Sequence, residues 1–194
     1  MTDLADAVVA PPAADPSAVA APAGTAAPAG PARRDEEPRW LSPVERAAWL
    51  RLLAVVELLP GVLDTQLRKD SGFSHFEYQT LAMLSEAPER TLRMTALAER
   101  TNATLPRLSH VLTRLAERGL VERAACPTDG RATNVILTDD GWAAVVGAAP
   151  GHVRTAREAV LDALSPARVA ALGETAAEIL PRLDPEGRMT DPGA

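Results

Sequence analysis

Four leucines, Leu105, Leu108, Leu112 and Leu115, recur at spacings of three and four, and Gly119 stands where a helix built on them must end. What precedes and follows this stripe narrows the fold sharply. Thr104 is an N-cap residue in front of it, and Asn102-Ala103 leaves room only for a turn. Before that turn, Thr95 caps a short helix from Ala96 to about Thr101. Two helices joined so tightly form a helix-turn-helix. After Gly119 the period becomes strand-like, in Leu120-Val121-Glu122-Arg123 and again in Asn134-Val135-Ile136-Leu137. Pro127-Thr128-Asp129-Gly130-Arg131 between them is a turn signal, so a β-hairpin wing is expected directly behind the helix-turn-helix.

Long helices flank this segment on both sides. Ser42-Pro43-Val44-Glu45 is a capping box that opens a helix running to about Leu67, with Pro60 expected to kink it. Trp49, Leu53, Val56, Leu63 and Leu67 form one apolar stripe on it, and Leu52, Val55, Leu59 and Val62 a second beside the first. A stripe this wide is more than a small domain needs and points to burial against another chain as well. Ser74-His75-Phe76-Glu77 repeats the capping box and starts a helix that ends near Glu86. Thr138-Asp139-Asp140-Gly141 begins a helix expected to break at Pro150-Gly151 and resume to about Leu164. Ser165-Pro166 caps the last, with Val169, Leu172, Ala176, Ile179 and Leu180 inward.

The fold class is therefore mainly α with a small β-hairpin wing. Residues 1–38 hold 13 Ala and 7 Pro and few large apolar side chains, a composition that predicts a disordered extension. The remaining expected divisions are an N-terminal dimerisation helix (39–70), a winged helix-turn-helix lobe (71–141), C-terminal dimerisation helices (142–183) and a disordered tail (184–194). With 46% hydrophobic but only 3% aromatic residues, the core must be built from Leu, Val and Ala. The early apolar stretch is broken by Asp3, Asp6, Pro11 and Pro12, and no run long enough to span a membrane follows, so a cytoplasmic protein is expected. The single cysteine, Cys126, fits a reducing compartment.

The net charge is −6, yet from Thr91 to Thr138 seven arginines face four acids. A local basic surface in an acidic chain suits an anionic partner, although a solvated helix face has the same composition. With the leucines turned inward, Thr104, Pro106, Arg107, His110, Thr113 and Arg114 lie on the rest of the helix surface. The N-terminal half of such a helix enters the major groove of double-stranded DNA. Arg107 can donate two hydrogen bonds to a guanine edge, and His110 can pair with a base or phosphate. Arg114 and Arg118 suit the phosphate backbone. At the hairpin tip Asp129 can orient Arg131, an arrangement fitted to a narrow minor groove, or the two can form an ordinary surface ion pair.

These residues resemble a known family. Leu97-Ala98-Glu99-Arg100-Thr101, Ser109 to Leu115, Arg118-Gly119-Leu120-Val121-Glu122-Arg123, Asp129-Gly130-Arg131 and Leu137-Thr138-Asp139-Asp140-Gly141 together are similar to the MarR family of bacterial regulators, over about residues 40–183. The resemblance implies a homodimer with intertwined terminal helices, one winged helix-turn-helix per subunit, and an Arg131 that enters the minor groove oriented by Asp129. It implies a ligand-responsive repressor on a near-palindromic operator. It also implies a small aromatic or lipophilic effector between the dimer helices and the reading lobe, with Trp49, His75 and Tyr78 as candidate lining residues. Two departures, His110 where an arginine is common and Pro106 early in the recognition helix, bear on the target sequence rather than on DNA binding.

Catalysis finds little support. His75, His110 and His152 fall in separate segments without metal-ligand spacing, and neither a phosphate-binding glycine loop nor a placed nucleophile is present. No enzyme, cofactor or metal site is expected. A winged helix used only for protein contact is the alternative, and it leaves Arg107, Arg114 and Arg131 without a purpose. Cys126 on the wing is expected to be inert, its one neighbouring cation being Arg123.

Overall fold

The computed structural model describes residues 39–126 and 129–189, apart from the side chains of Asp129 and Arg131. The expected extension 1–38 and residues 190–194 of the expected tail lie outside the described residues. The chain divides into two compact units, one ending at Val56 and one beginning at Glu57. In the first, Ser42 closes its capping box with Glu45 and starts helix α1 (Pro43–Ser71). Trp49, Leu52, Leu53, Val55 and Val56 are all exposed there, so the apolar stripe lies on the surface of the single chain.

In the second unit α1 buries Leu63 and Leu67. It runs past the expected stop at Leu67 because Lys69, Asp70 and Ser71 all tolerate helix. The stop is Gly72, whose φ of +69° only glycine adopts freely. The second capping box forms as expected, with Ser74 Oγ accepting the Glu77 N–H at 3.2 Å and Ser74 N–H donating to the Glu77 carboxylate at 2.8 Å. It heads α2 (His75–Glu86). A strand that the residue pattern does not announce, β1 (Thr91–Arg93), leads directly into α3 (Met94–Arg100). Thr95 therefore lies inside α3 instead of capping it. The helix start is set by pairing of Arg93 with Asn134, not by a hydroxyl.

Asn102, with φ of +47°, makes the turn to α4 (Leu105–Glu117), which Thr104 caps by accepting the Arg107 N–H at 3.4 Å. Leu108, Val111, Leu112 and Leu115 are its buried face, whereas Leu105 is 46% exposed. Leu105 is the first residue of the helix and projects beyond the edge of the core, and Val111 completes the inward stripe in its place. The core gathers these residues with Leu81 and Leu84 of α2, Leu97 of α3, Leu120, Val135 and Val145. The sheet has strand order β1-β3-β2, all antiparallel, with β2 (Val121–Cys126) and β3 (Asp129–Leu137) longer than the alternating pattern indicates.

Helix α5 (Asp139–Ala159) runs unbroken through Pro150-Gly151, contrary to expectation. A proline in a helix removes one N–H donor, and an otherwise well-supported helix continues past that loss. A short 3₁₀ turn (Leu161–Ala163) leads to α6 (Pro166–Leu183), none of whose residues is buried within the single chain, the expected inward set included. Asp184 then accepts the N–H groups of Arg188 and Met189, so the first residues of the expected tail form a hydrogen-bonded turn.

One junction explains the Leu-Thr-x-x-Gly motif. The Thr138 hydroxyl donates to the Gly119 carbonyl at 2.7 Å and accepts the Gly141 N–H at 3.0 Å. A methyl group on Gly141 would collide with the Leu120 carbonyl oxygen and with Leu137 Cδ1. Gly141→Ala is therefore expected to destabilise the lobe by about 1–3 kcal/mol. Gly147→Ala, in the same helix and facing open space, should stabilise by roughly 0.5–1 kcal/mol. Urea midpoints of the two variants check this, and a neutral Gly141→Ala would show that the junction is not close-packed.

Candidate nucleic-acid interface

The solvent face of α4 carries Thr104, Pro106, Arg107, His110 and Arg114, all exposed, opposite its four buried apolar residues. Arg107, His110 and Arg114 meet Asp64 and Arg68 of α1, the cap residue Ser74 and Phe76 of α2 around a cleft of about 350 Å³. The Arg107 guanidinium lies 4.1 Å above the Phe76 ring. Arg114 approaches the Glu77 carboxylate at 3.5 Å. Glu77 is thus shared, one oxygen closing the capping box of α2 and the other holding a cation of α4.

The wing side contributes residues that helical spacing does not reveal. Arg123 of β2 donates to the Ser109 carbonyl at 2.6 Å and to the Thr113 hydroxyl at 3.2 Å, tying hairpin to α4. Arg118 lies over Phe73 at 4.4 Å, and Arg90 lies over Trp142 at 4.4 Å while bonding Asp139 at 3.0 Å. For Arg123 the alternation of β2, which turns it toward α4, was the one warning in the sequence, whereas Arg118 is already marked there as a phosphate contact. The side chains of Asp129 and Arg131 lie outside the described residues. Cys126 is buried, and the guanidinium that reaches its sulfur, at 3.8 Å, belongs to Arg93 and not to Arg123, which is engaged with α4.

The candidate effector residues separate. Trp49 belongs to the N-terminal unit and is 46% exposed. His75 and Tyr78, one turn apart on α2, meet His152 of α5, with ring centroids 6.4 Å and 4.6 Å from it. His152, an isolated histidine in the sequence, joins them because only the fold brings α5 against α2. Burial pushes the pKa of His75 down against the pull of Asp64, and burial followed by the neighbouring His75 pushes down that of His152. Burial, and then Glu86, raises the Tyr78 phenol. Asp64 is held below the usual carboxylate range by the His75 N–H, donated at 2.8 Å, and by Arg68. Among the described residues, His152 Nδ1 and Gln66 Oε1 are buried without a hydrogen-bond partner. No group of three or more His, Cys, Asp or Glu able to hold a metal ion occurs among the described residues.

Comparison with known proteins agrees with this architecture. Residues 71–132 match the family model described as MarR family. The chain is 41% identical to Sco3205 of Streptomyces coelicolor, a MarR family transcriptional regulator whose crystal structure is in complex with DNA. That likeness covers 78% of this chain and 95% of the other, with a TM-score of 0.73. AbsC, a MarR family transcriptional regulator from Streptomyces coelicolor, is 33% identical over 77% of this chain and 100% of its own, with a TM-score of 0.71. The HTH-type transcriptional repressor YetL of Bacillus subtilis is 33% identical over 81 residues, 42% of this chain, and the match spans about half (48%) of that repressor.

The two depressed histidines fix a pH dependence. Unfolded histidines take up protons near pH 6.5, whereas His75 and His152 in the folded chain resist until the pH is lower. Their contribution to stability is complete above about pH 6.5 and is lost as the pH falls through their folded values. The melting temperature should therefore drop between about pH 7.5 and 5. A His75→Gln/His152→Gln variant should show a flatter profile by differential scanning calorimetry, and an equal slope in both proteins would refute the assignment.

Proposed function

The chain belongs to the MarR family, and from that premise we propose that it is a sequence-specific, double-stranded DNA-binding transcriptional regulator. It acts as a homodimer on a near-palindromic operator, as a ligand-responsive repressor. One observation carries this reading: a helix capped by Thr104 and anchored by four buried residues presents Arg107, His110 and Arg114 together to solvent. The only carboxylate on that helix is Glu117, at its end. Thr104, Pro106, Arg107 and His110 enter the major groove, Arg107 reading a base edge and Arg114 a phosphate. Asp129 and Arg131 form the wing contact in the flanking minor groove. That Sco3205, 41% identical, is seen bound to DNA supports the same use of this lobe.

The dimer covers what one chain leaves bare. Trp49, Leu52 and Val55 of α1, and Leu172, Ile179 and Leu183 of α6, are apolar and exposed, and a second copy related by a twofold axis buries them. Residues 39–70 and 142–183 are then dimerisation helices, and 71–141 the reading lobe. A small aromatic or lipophilic effector is the proposed ligand, with His75 and Tyr78, beside His152, as its candidate contacts in this lobe and Trp49 as a separate candidate in the N-terminal unit. The chain acts by binding and not by catalysis, a reading supported by its relatives, which are transcriptional regulators. No described helix is long and apolar enough to cross a membrane, and we place the protein in the cytoplasm with its DNA.

Genomic fragments selected by the full chain should yield an inverted repeat with half-sites about 10 base pairs apart. On that duplex Arg107→Ala should cost about 1–3 kcal/mol and relax preference at one position. Arg114→Ala should weaken all sequences alike and reduce the salt dependence. Arg131→Ala should lose affinity chiefly on duplexes with A·T-rich flanks, and Asp129→Ala should lose part of it. Titrations by fluorescence anisotropy, with sedimentation to confirm the dimer, check all four, and a monomer that selects no sequence would end this reading.

A further inference from the structure

Four aromatic residues lie beyond Glu57, and three of them carry an arginine on the ring: Phe73, Phe76 and Trp142. In an aromatic-poor chain this arrangement needs a reason. The pair Phe76–Arg107 differs from the ion-paired and hydrogen-bonded cations around α4. It shares its form only with Arg118 on Phe73, which lies at the opposite end of that helix from the half proposed to read bases. Arg114 faces a carboxylate, and Arg123 gives its donors to Ser109 and Thr113. Arg107 has only its guanidinium face covered. Its N–H groups lie in the guanidinium plane, and among the described residues no hydrogen bond or ion pair takes them up.

Both partners are pinned from below. Phe76 is the second residue of α2, inside the capping box that Ser74 and Glu77 close, and its carbonyl accepts the Thr80 hydroxyl at 2.7 Å. Arg107 is the third residue of α4, and its own N–H is the one that Thr104 accepts. The ring and the guanidinium therefore meet between two backbones fixed at their N-caps. An arginine free in water gives up most of its rotamers when it docks. One already stacked has fewer to lose.

We propose that Phe76 is a positioning residue for base recognition, its ring seating the Arg107 guanidinium face so that the N–H edge meets a base already ordered. The inference rests on Arg107 being the base-reading residue proposed above. Replacing the ring removes the seat without touching any group that faces DNA.

The test uses the full chain and a fluorescent duplex chosen by the wild-type protein from a randomised pool, together with single base-pair variants of it. Phe76→Leu should weaken the chosen duplex roughly two- to fivefold, the worth of an exposed cation–π contact. It should relax discrimination at the same base pair that Arg107→Ala relaxes. Phe76→Trp, which keeps a π face, should retain both affinity and discrimination. In an Arg107→Ala background Phe76→Leu should change nothing further. If the leucine and tryptophan variants lose alike, or the loss persists without Arg107, Phe76 is merely structural and the inference is overturned. If Arg107→Ala relaxes a position and Phe76→Leu does not, the inference alone falls. If Arg107→Ala leaves every position intact, the base-reading role has failed first and takes the inference with it.

Discussion

The winged lobe depends on how the chain returns after its hairpin. Gly119 ends α4 with φ of +73°, and β2 and β3 then run out and back before Thr138 meets the same point. The Thr138 hydroxyl bonds the Gly119 carbonyl, the Thr138 N–H bonds the Leu120 carbonyl at 3.1 Å, and Gly141 packs against that carbonyl without a side chain. These contacts join the end of α4 to the start of α5 and fix the base of the sheet. Everything that faces outward from α4 is placed relative to that closure. Thr138 also caps α5, so one hydroxyl serves two helices.

A second constraint is electrostatic. The whole chain is acidic, and only the segment from Thr91 to Thr138, with its seven arginines against four acids, hints at a surface for an anion. The structure answers with order instead of number. Arg107 and Arg118 are stacked on rings, Arg114 is matched to a carboxylate, and Arg123 is hydrogen-bonded across to α4. Arginine tolerates such seats because its charge is delocalised and its face is weakly hydrated. Lysine, a strongly hydrated point charge, would gain far less from the same rings.

Much of this was legible in the residues. The capping boxes at Ser42 and Ser74, the Thr104 cap and the Gly119 stop are local chemistry, each settled by neighbours three residues away, and they appear where the sequence places them. Features that depend on distant partners were not legible. β1 is three residues long and exists only because β3 offers it an edge. Pro150 reads as a break, yet α5 continues through it. Leu105 fits the spacing of an inward residue but lies past the end of the core. The same division holds at the site. The exposed residues of α4 follow from its period, whereas His152, Phe76 and Arg123 acquire partners only when α2, α4, α5 and the sheet assemble.

The first turn of α2 has two faces, and their separation bears on how a ligand could act. His75 and Tyr78, three residues apart, turn toward His152 of α5, while Phe76 and Glu77 turn toward Arg107 and Arg114 of α4. The four residues share a single rigid turn, held by the capping box and by the Asp64 carboxylate that accepts the His75 N–H. A ligand can shift an equilibrium only by as much as its affinity differs between the two states. A molecule resting on the histidine face would therefore need contacts that favour one placement of this turn over another. If it has them, the seats of both arginines move with the turn, because ring and carboxylate are fixed to the same backbone as the histidine. No long chain of intermediates is required, since the two faces are separated by the width of one helix.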